Sequence, residues 1–408
     1  LLNASIKITG SKSESNRLLL LQALYPNISI ENLSNSDDAG VMKKGLQVSG
    51  GLVDIHHAGT AMRFLTAYFA TQEEKEVTLT GSERMQQRPI ALLVDALRDL
   101  GADITYQKQE GYPPLLIKGK RISKQKVRLA ANVSSQYISA LLLIAPSLKN
   151  GLELELMGQI TSVPYIKMTL GLLAQVGITT SFEGNTIKVA SAGEIRPVKM
   201  VVESDWSSVS YYYSTVALAE VGSEILVSAY KPDSLQGDSV LVDLYKHFGV
   251  ETRFEGNSIR ISKLANSKDN FLLKEKTAFI NFNLANAPDI AQTIAVTCFG
   301  LGMGCHLTGL HTLKIKETDR LEALKNELTK LGASIQVTDK DLSLSPGGSI
   351  HKDIEIETYN DHRMAMAFAP LALKTTLIIK DAEVVSKSYP DFWNDLALLH
   401  FVISQQKS

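Results

Sequence analysis

The 408-residue chain predicts an α/β protein of two pseudo-equivalent domains, each made of three βαβαββ units whose inner helices are buried. Two recurrences carry that reading. Four amphipathic stretches each end in Gly and run straight into a strand pair, and six helix starts continue almost wholly apolar. Six units over the chain give roughly 68 residues apiece. Three such units make a domain of ordinary size.

The amphipathic stretches are residues 89–101, 164–177, 238–249 and 319–332, and a left-handed Gly is expected to close each helix. The strand pairs that follow are alike. ITTSFEGNTIKV at 178–189 and VETRFEGNSIRI at 250–261 both alternate apolar and polar residues around Glu-Gly-Asn, the pattern of a hairpin. The apolar helices begin at Ser11, Ala58, Ser134, Asp205, Ala287 and Asn360. Runs such as NRLLLLQAL and SALLLIAP leave no polar face, as suits a helix covered on all sides. A more polar helix follows each, weakest in the first unit (37–46) and the last (390–401), and the halves should meet near 201–204.

Composition narrows the function. Hydrophobic residues make up 44% and charged residues 21%, an ordinary globular balance. Lys+Arg 42 against Asp+Glu 43 leaves a net charge of -1, so no global field draws the chain to nucleic acid or to an anionic membrane. No apolar run reaches the ~18 residues of a membrane span. Cys298 and Cys305 give neither a disulfide framework nor a CxxC pair and read as inert core thiols, which fits a cytoplasmic protein. GxxxxGK[ST], GxGxxG after a strand and HExxH are all absent, and no His spacing suggests a metal.

The cations are placed against the helix dipole. Lys or Arg in a first turn costs ~0.3–1 kcal/mol unless compensated. Yet Lys12 and Arg17 flank the first buried helix, Arg63 lies in the second and Arg363 opens the sixth. Arg88 precedes the helix at 89, and Lys316 and Arg320 open the one at 319. Any one of them could be a solvated side chain or a local ion pair. Together they point to a site for a highly anionic ligand, completed by backbone N–H groups and by Ser13, Ser134 and Ser135. Glu317, set between Lys316 and Arg320, and Asp289, at a buried helix start, are either dipole-favoured acids or general acid/base groups. His362 reads as orienting a neighbour or capping a helix rather than as a base.

Six motifs then stand in order: GSKSESNR (10–17), AGTAMR (58–63), RPI (88–90), SSQ (134–136), KETDRL (316–321) and YNDHRMAM (359–366). Together, over nearly the whole chain, they resemble the 5-enolpyruvylshikimate-3-phosphate (EPSP) synthase family. That resemblance implies an inside-out α/β barrel in each domain, domains of 12–203 and 1–11 plus 204–408, and an active site in the cleft between them. It implies transfer of the enolpyruvyl group of phosphoenolpyruvate to the 5-hydroxyl of shikimate 3-phosphate, with phosphate released, on the pathway to chorismate. Carried over by position, Lys12, Ser13, Arg17, Ser134, Ser135, Gln136, Ser162, Asp289 and Lys316 are expected to hold shikimate 3-phosphate. Lys12, Gly59, Arg88, Gln136, Arg320, Arg363 and Lys387 are expected to hold phosphoenolpyruvate. Glu317, Asp289 and Lys12 are the candidates for proton transfer. The resemblance implies no metal or organic cofactor, no nucleic-acid or membrane partner, and a monomer. Phe64 after Met-Arg and Trp206 after Asp205 depart from the family's usual residues. The alternatives are the sister enolpyruvyl transferase that acts on UDP-N-acetylglucosamine, with its reactive loop cysteine, and a non-catalytic anion-binding protein.

Overall fold

Eight consecutive residues of the Lys12–Leu24 helix, Glu14 through Leu21, are buried, so this helix has no solvent face. The computed structural model describes residues 1–132, 134–160, 163–264 and 278–405. Five more helices share the all-round burial: Gly59–Ala70, Ser135–Ile144, Trp206–Leu218, Ala291–Gly300 and His362–Phe368. Small polar residues start most of them for a local reason. The side chains of Ser11, Ser134, Asp205 and Asp361 each accept a hydrogen bond from a first-turn N–H of the helix they cap.

The outer helices bury one stripe only. Ala91–Leu100 hides Leu93, Val94, Ala96, Leu97 and Leu100, and Arg320–Lys330 hides Leu321, Ala323, Leu324 and Leu328. Gly101, Gly177, Gly249 and Gly332 follow the four predicted stretches with φ of 110°, 90°, 71° and 104°, so each chain reversal uses the left-handed region. The stretch at 238–249 is not one helix. It breaks into the 3-10 turn Gly237–Val240, the helix Leu241–Leu244 and the 3-10 turn Tyr245–Phe248. The tighter i,i+3 spacing brings the Tyr245 and Phe248 rings to 5.0 Å, and both are fully buried.

Two compact units result, one of Gly10–Val202 and one of Leu1–Thr9 with Glu203–Ser408. In the first, Gly51–Asp54 pairs parallel with Glu76–Thr80, which pairs antiparallel with Leu115–Lys118, itself hydrogen-bonded to Asp103–Tyr106. Lys126–Ala130, Leu152–Met157, Thr186–Val189 and Thr180–Glu183 repeat that order. Ile28–Glu31 and Val198–Val201 form a two-stranded parallel sheet. The second unit repeats the plan. Asn3–Lys7 joins Glu224–Ser228, Ser258–Lys263 and Val250–Glu255, and Phe279–Asn283 joins Gly304–Thr308, Leu342–Leu344 and Ile335–Val337. Ile354–Ile356 and Leu377–Ile379 make its two-stranded parallel sheet.

Each unit therefore holds two four-stranded mixed sheets and one parallel pair among the described residues. The recurring order places the first two strands side by side, then the fourth, then the third. The sheets stay separate and no closed barrel forms among the described residues, so "inside-out" describes the buried helices but not a continuous strand ring. The core of the second unit takes in the buried helices' Trp206, Tyr211, Tyr212, Tyr213, Ile294 and Phe368. Two of its tyrosine hydroxyls meet threonines: that of Tyr213 lies 2.7 Å from Thr252 Oγ1 and that of Tyr245 lies 2.9 Å from Thr297 Oγ1.

Candidate active site

In the Gly10–Val202 unit, Lys12 is the first residue of its helix, and its Nζ lies 3.0 Å from Asp38 Oδ2. One turn on, Arg17 is 2% exposed and donates to Thr169 Oγ1 (2.8 Å), Ser139 Oγ (2.9 Å) and the Ser13 carbonyl (2.9 Å). Its guanidinium also lies 5.5 Å from the centre of the Phe64 ring. All three hydrogen-bond acceptors are neutral, and burial pushes the Arg17 pKa down to about 10 against the opposing pull of Tyr165 and Glu14.

A second group forms where the Gly59–Ala70 and Ser135–Ile144 helices begin. A Cβ added to Gly59 would stand 2.5 Å from Arg88 Nη1, so only a glycine lets this guanidinium lie against the helix start. Arg63 donates to the carbonyls of Gly59 and Pro89, both at 3.2 Å, and to Met85 Sδ at 3.4 Å. Burial first, then the neighbouring Arg88, lowers its pKa to about 10. Gln136 Nε2 donates to Thr60 Oγ1 at 3.0 Å, which ties the two helix starts together. Ser134 caps the second of them and Ser135 is its first residue. Ser162 lies outside the described residues.

In the other unit the charges interlock. Arg320, 2% exposed, donates to Asp361 Oδ2 (2.7 Å), Asp289 Oδ1 (2.9 Å) and Glu317 Oε2 (2.7 Å). Asp289 also receives Arg363 Nη2 at 3.2 Å on its other oxygen and Lys316 Nζ at 3.4 Å, so one carboxylate bridges three cations. Burial opposes the charge on Arg320, but Asp361, Glu317 and Asp289 together outweigh it and raise its pKa. Arg363 is raised likewise: Asp289 and Tyr211 prevail over burial. For Lys316 burial wins over Asp289 and its pKa is lowered.

Backbone shape positions this group. Tyr359 and Asn360 take successive left-handed conformations, φ 53° and 58°, before Asp361 caps the His362–Phe368 helix. Lys387 closes the 3-10 turn Ala382–Lys387 and donates to the Asn360 carbonyl (2.6 Å) and Oδ1 (3.0 Å). His362 is 1% exposed, with Nδ1 3.9 Å from Glu317 Oε1.

Three features differ from the sequence expectation or were missed by it. Most helix-start cations are compensated, by acids far away in sequence: Lys12 by Asp38, Arg320 by Asp361, Lys316 and Arg363 by Asp289. Arg17 and Arg63 instead donate hydrogen bonds to neutral atoms. Asp361 and Asp38 were not read as site residues, because an acid in or before a first turn looks like an ordinary dipole-favoured cap. Asp238, 5% exposed and hydrogen-bonded to Ser207 Oγ, was also missed. Burial, reinforced by Asp289, raises its pKa to about 7.

Comparison with known proteins bears on this arrangement. A family model described as EPSP synthase (3-phosphoshikimate 1-carboxyvinyltransferase) matches residues 48–396. A 3-phosphoshikimate 1-carboxyvinyltransferase of Bacteroides fragilis is 43% identical over 406 residues, covering 98% of this chain and 96% of its own. One from Shewanella sediminis is 36% identical over 426 residues, with 97% and 96% covered. Among solved structures, the EPSP synthase of Acinetobacter baumannii superposes with a TM-score of 0.75 at 20% identity, covering 98% of this chain and 96% of that one. The enolpyruvyl transferase NikO of Streptomyces tendae gives 0.73 at 14% identity, with 98% and 95% covered. These two structures are alike in fold.

Proposed function

The chain belongs to the EPSP synthase family, and we infer that it transfers the enolpyruvyl group of phosphoenolpyruvate to the 5-hydroxyl of shikimate 3-phosphate, releasing phosphate. The observation that carries this is the 43% identity over 98% of the chain to a 3-phosphoshikimate 1-carboxyvinyltransferase. The fold alone does not select the acceptor, since NikO shares it. The sister reaction on UDP-N-acetylglucosamine would draw on a reactive loop cysteine. Cys298 and Cys305 are both 0% exposed, which disfavours that reading.

The chemistry asks for two things. Two phosphorylated carboxylates must be held together, and protons must move at one carbon and one oxygen. In the addition step the 5-hydroxyl oxygen bonds to C2 of phosphoenolpyruvate, a proton adds to the C3 methylene, and the hydroxyl proton is taken up. In the elimination step the C2–O bond to phosphate breaks and C3 gives up a proton, which restores the double bond. Shikimate 3-phosphate is assigned to Lys12, Ser13, Arg17, Ser134, Ser135, Gln136, Ser162, Asp289 and Lys316. Phosphoenolpyruvate is assigned to Lys12, Gly59, Arg88, Gln136, Arg320, Arg363 and Lys387. The burial of Arg17, whose hydrogen bonds go to neutral acceptors, supports its share: a ligand carboxylate or phosphate would offset a desolvated charge. Glu317 and Asp289, both oriented by Arg320, are the proposed proton carriers, with Lys12 a third.

In this reading the enzyme draws on residues of both halves, 12–203 and 1–11 with 204–408. It works as a cytoplasmic monomer on free small molecules. No helix among the described residues is long and apolar enough to cross a membrane. The test is product mass. With phosphoenolpyruvate present, shikimate 3-phosphate should gain the enolpyruvyl group and UDP-N-acetylglucosamine should not; the reverse preference would overturn the assignment.

A further inference from the structure

Beneath the Lys387 segment runs a chain of buried polar groups that packing alone does not require. Tyr389, two residues after Lys387, is 2% exposed, and its hydroxyl donates to Asp395 Oδ2 at 2.6 Å. The Tyr212 hydroxyl, on the Trp206–Leu218 helix and fully buried, lies 2.9 Å from the Tyr389 hydroxyl oxygen. Because the Tyr389 proton goes to Asp395, Tyr212 is the donor in that contact. The hydrogen bonds therefore run in one direction, Tyr212 to Tyr389 to Asp395. Phenylalanine would fill both positions without the desolvation cost of two hydroxyls, so the hydroxyls supply direction rather than volume.

What they direct is the turn that carries Lys387. The Tyr389 N–H bonds to the Val385 carbonyl at 2.8 Å, and the Phe392 N–H bonds to the Tyr389 carbonyl at 3.2 Å. Tyr389 thus sits between the Ala382–Lys387 turn and the Phe392–Ala397 helix that bears Asp395. The Phe392 ring lies 5.6 Å from Tyr389 and 5.6 Å from Tyr211, whose hydroxyl receives Arg363 Nη1 at 3.5 Å. The same aromatic column therefore abuts both the Arg363 and the Lys387 sides of the acid–cation group.

We propose that Tyr389, held by Tyr212 and Asp395, is a positioning residue that fixes Lys387 for phosphoenolpyruvate. The proposal rests on the assignment of Lys387 to that substrate made above. Tyr389 touches no substrate; it acts through the turn.

The test is steady-state kinetics on the full-length enzyme carrying Tyr389→Phe, Lys387→Ala or both, with Tyr212→Phe as a milder variant that leaves the Tyr389–Asp395 bond in place. Tyr389→Phe should raise KM for phosphoenolpyruvate about three- to tenfold, the size of one lost buried hydrogen bond, with kcat and the KM for shikimate 3-phosphate within about twofold. Tyr212→Phe should shift the same constant in the same direction by less. In the Lys387→Ala background, Tyr389→Phe should change that KM by less than about twofold, because the residue it positions is gone. If Lys387→Ala raises the phosphoenolpyruvate KM while Tyr389→Phe leaves it unchanged, or if Tyr389→Phe raises both substrates' KM equally, the positioning role is overturned and the Lys387 assignment stands. If Lys387→Ala leaves that KM unchanged, the assignment beneath the proposal fails and the proposal with it.

Discussion

Replacing Glu317 by Gln separates a proton carrier from a charge balancer. The acid–cation group holds Lys316, Arg320 and Arg363 against Asp289, Asp361 and Glu317, three charges of each sign. Gln keeps the size and a hydrogen-bond acceptor for Arg320 but cannot titrate. Arg320 would retain Asp361 at 2.7 Å and Asp289 at 2.9 Å, so no buried cation is left uncompensated. The stability cost should then stay near that of weakening one charge-assisted hydrogen bond, about 1–2 kcal/mol, well under the ~3–5 of a fully broken buried pair. A drop of a few degrees in the unfolding midpoint is expected, with the protein fully folded at assay temperature. Shikimate 3-phosphate binding by calorimetry should survive, while single-turnover rates fall by ~10²–10⁴. If Glu317 only balances charge, the group becomes one unit more positive. Anions should then bind more tightly and turnover should stay within about tenfold, a result that would move proton transfer to Asp289 or Lys12.

Arg363→Ala should weaken phosphoenolpyruvate binding by about 2–4 kcal/mol and leave shikimate 3-phosphate nearly unaffected, as measured by titration of each ligand. Gly59→Ala should fold normally, since the group in its way is the mobile end of Arg88, but the displaced guanidinium should raise the phosphoenolpyruvate KM with little change in melting temperature. Asp238 has a folded pKa raised from 3.8 to about 7. The native state therefore binds more protons than the unfolded chain between those values, and this group's contribution to stability should fall as pH rises from about 4 to 7. Asp238→Asn should remove that component, read as a flatter denaturation midpoint against pH than in the parent.

The repeat was legible because its signals are local. A buried helix announces itself as an apolar run behind a small cap such as Ser11 or Asp205, and Glu-Gly-Asn names its own hairpin at 183–185 and 255–257. Less legible was the 238–249 stretch, where helical spacing gives way to 3-10 turns that set the Tyr245 ring edge-on to Phe248. The shortened sheets, Ile28–Glu31 with Val198–Val201 and Ile354–Ile356 with Leu377–Ile379, depend on pairings that no single window of sequence contains.

For the candidate site, cations in helix starts could be seen one at a time, because each breaks a local rule. Their partners could not. Asp38 lies 26 residues from Lys12 and Asp361 lies 41 from Arg320, and each acid taken alone obeys the dipole. The Tyr212–Tyr389–Asp395 chain was invisible for a similar reason: tyrosines in apolar runs read as core until the hydroxyls are seen to meet.

The most direct test of the central claim is phosphate release from phosphoenolpyruvate by the purified protein, followed with and without shikimate 3-phosphate. The account predicts release only when both are present, with one enolpyruvyl ether formed per phosphate. Release without the acceptor, or no release with both substrates at saturation, would contradict it.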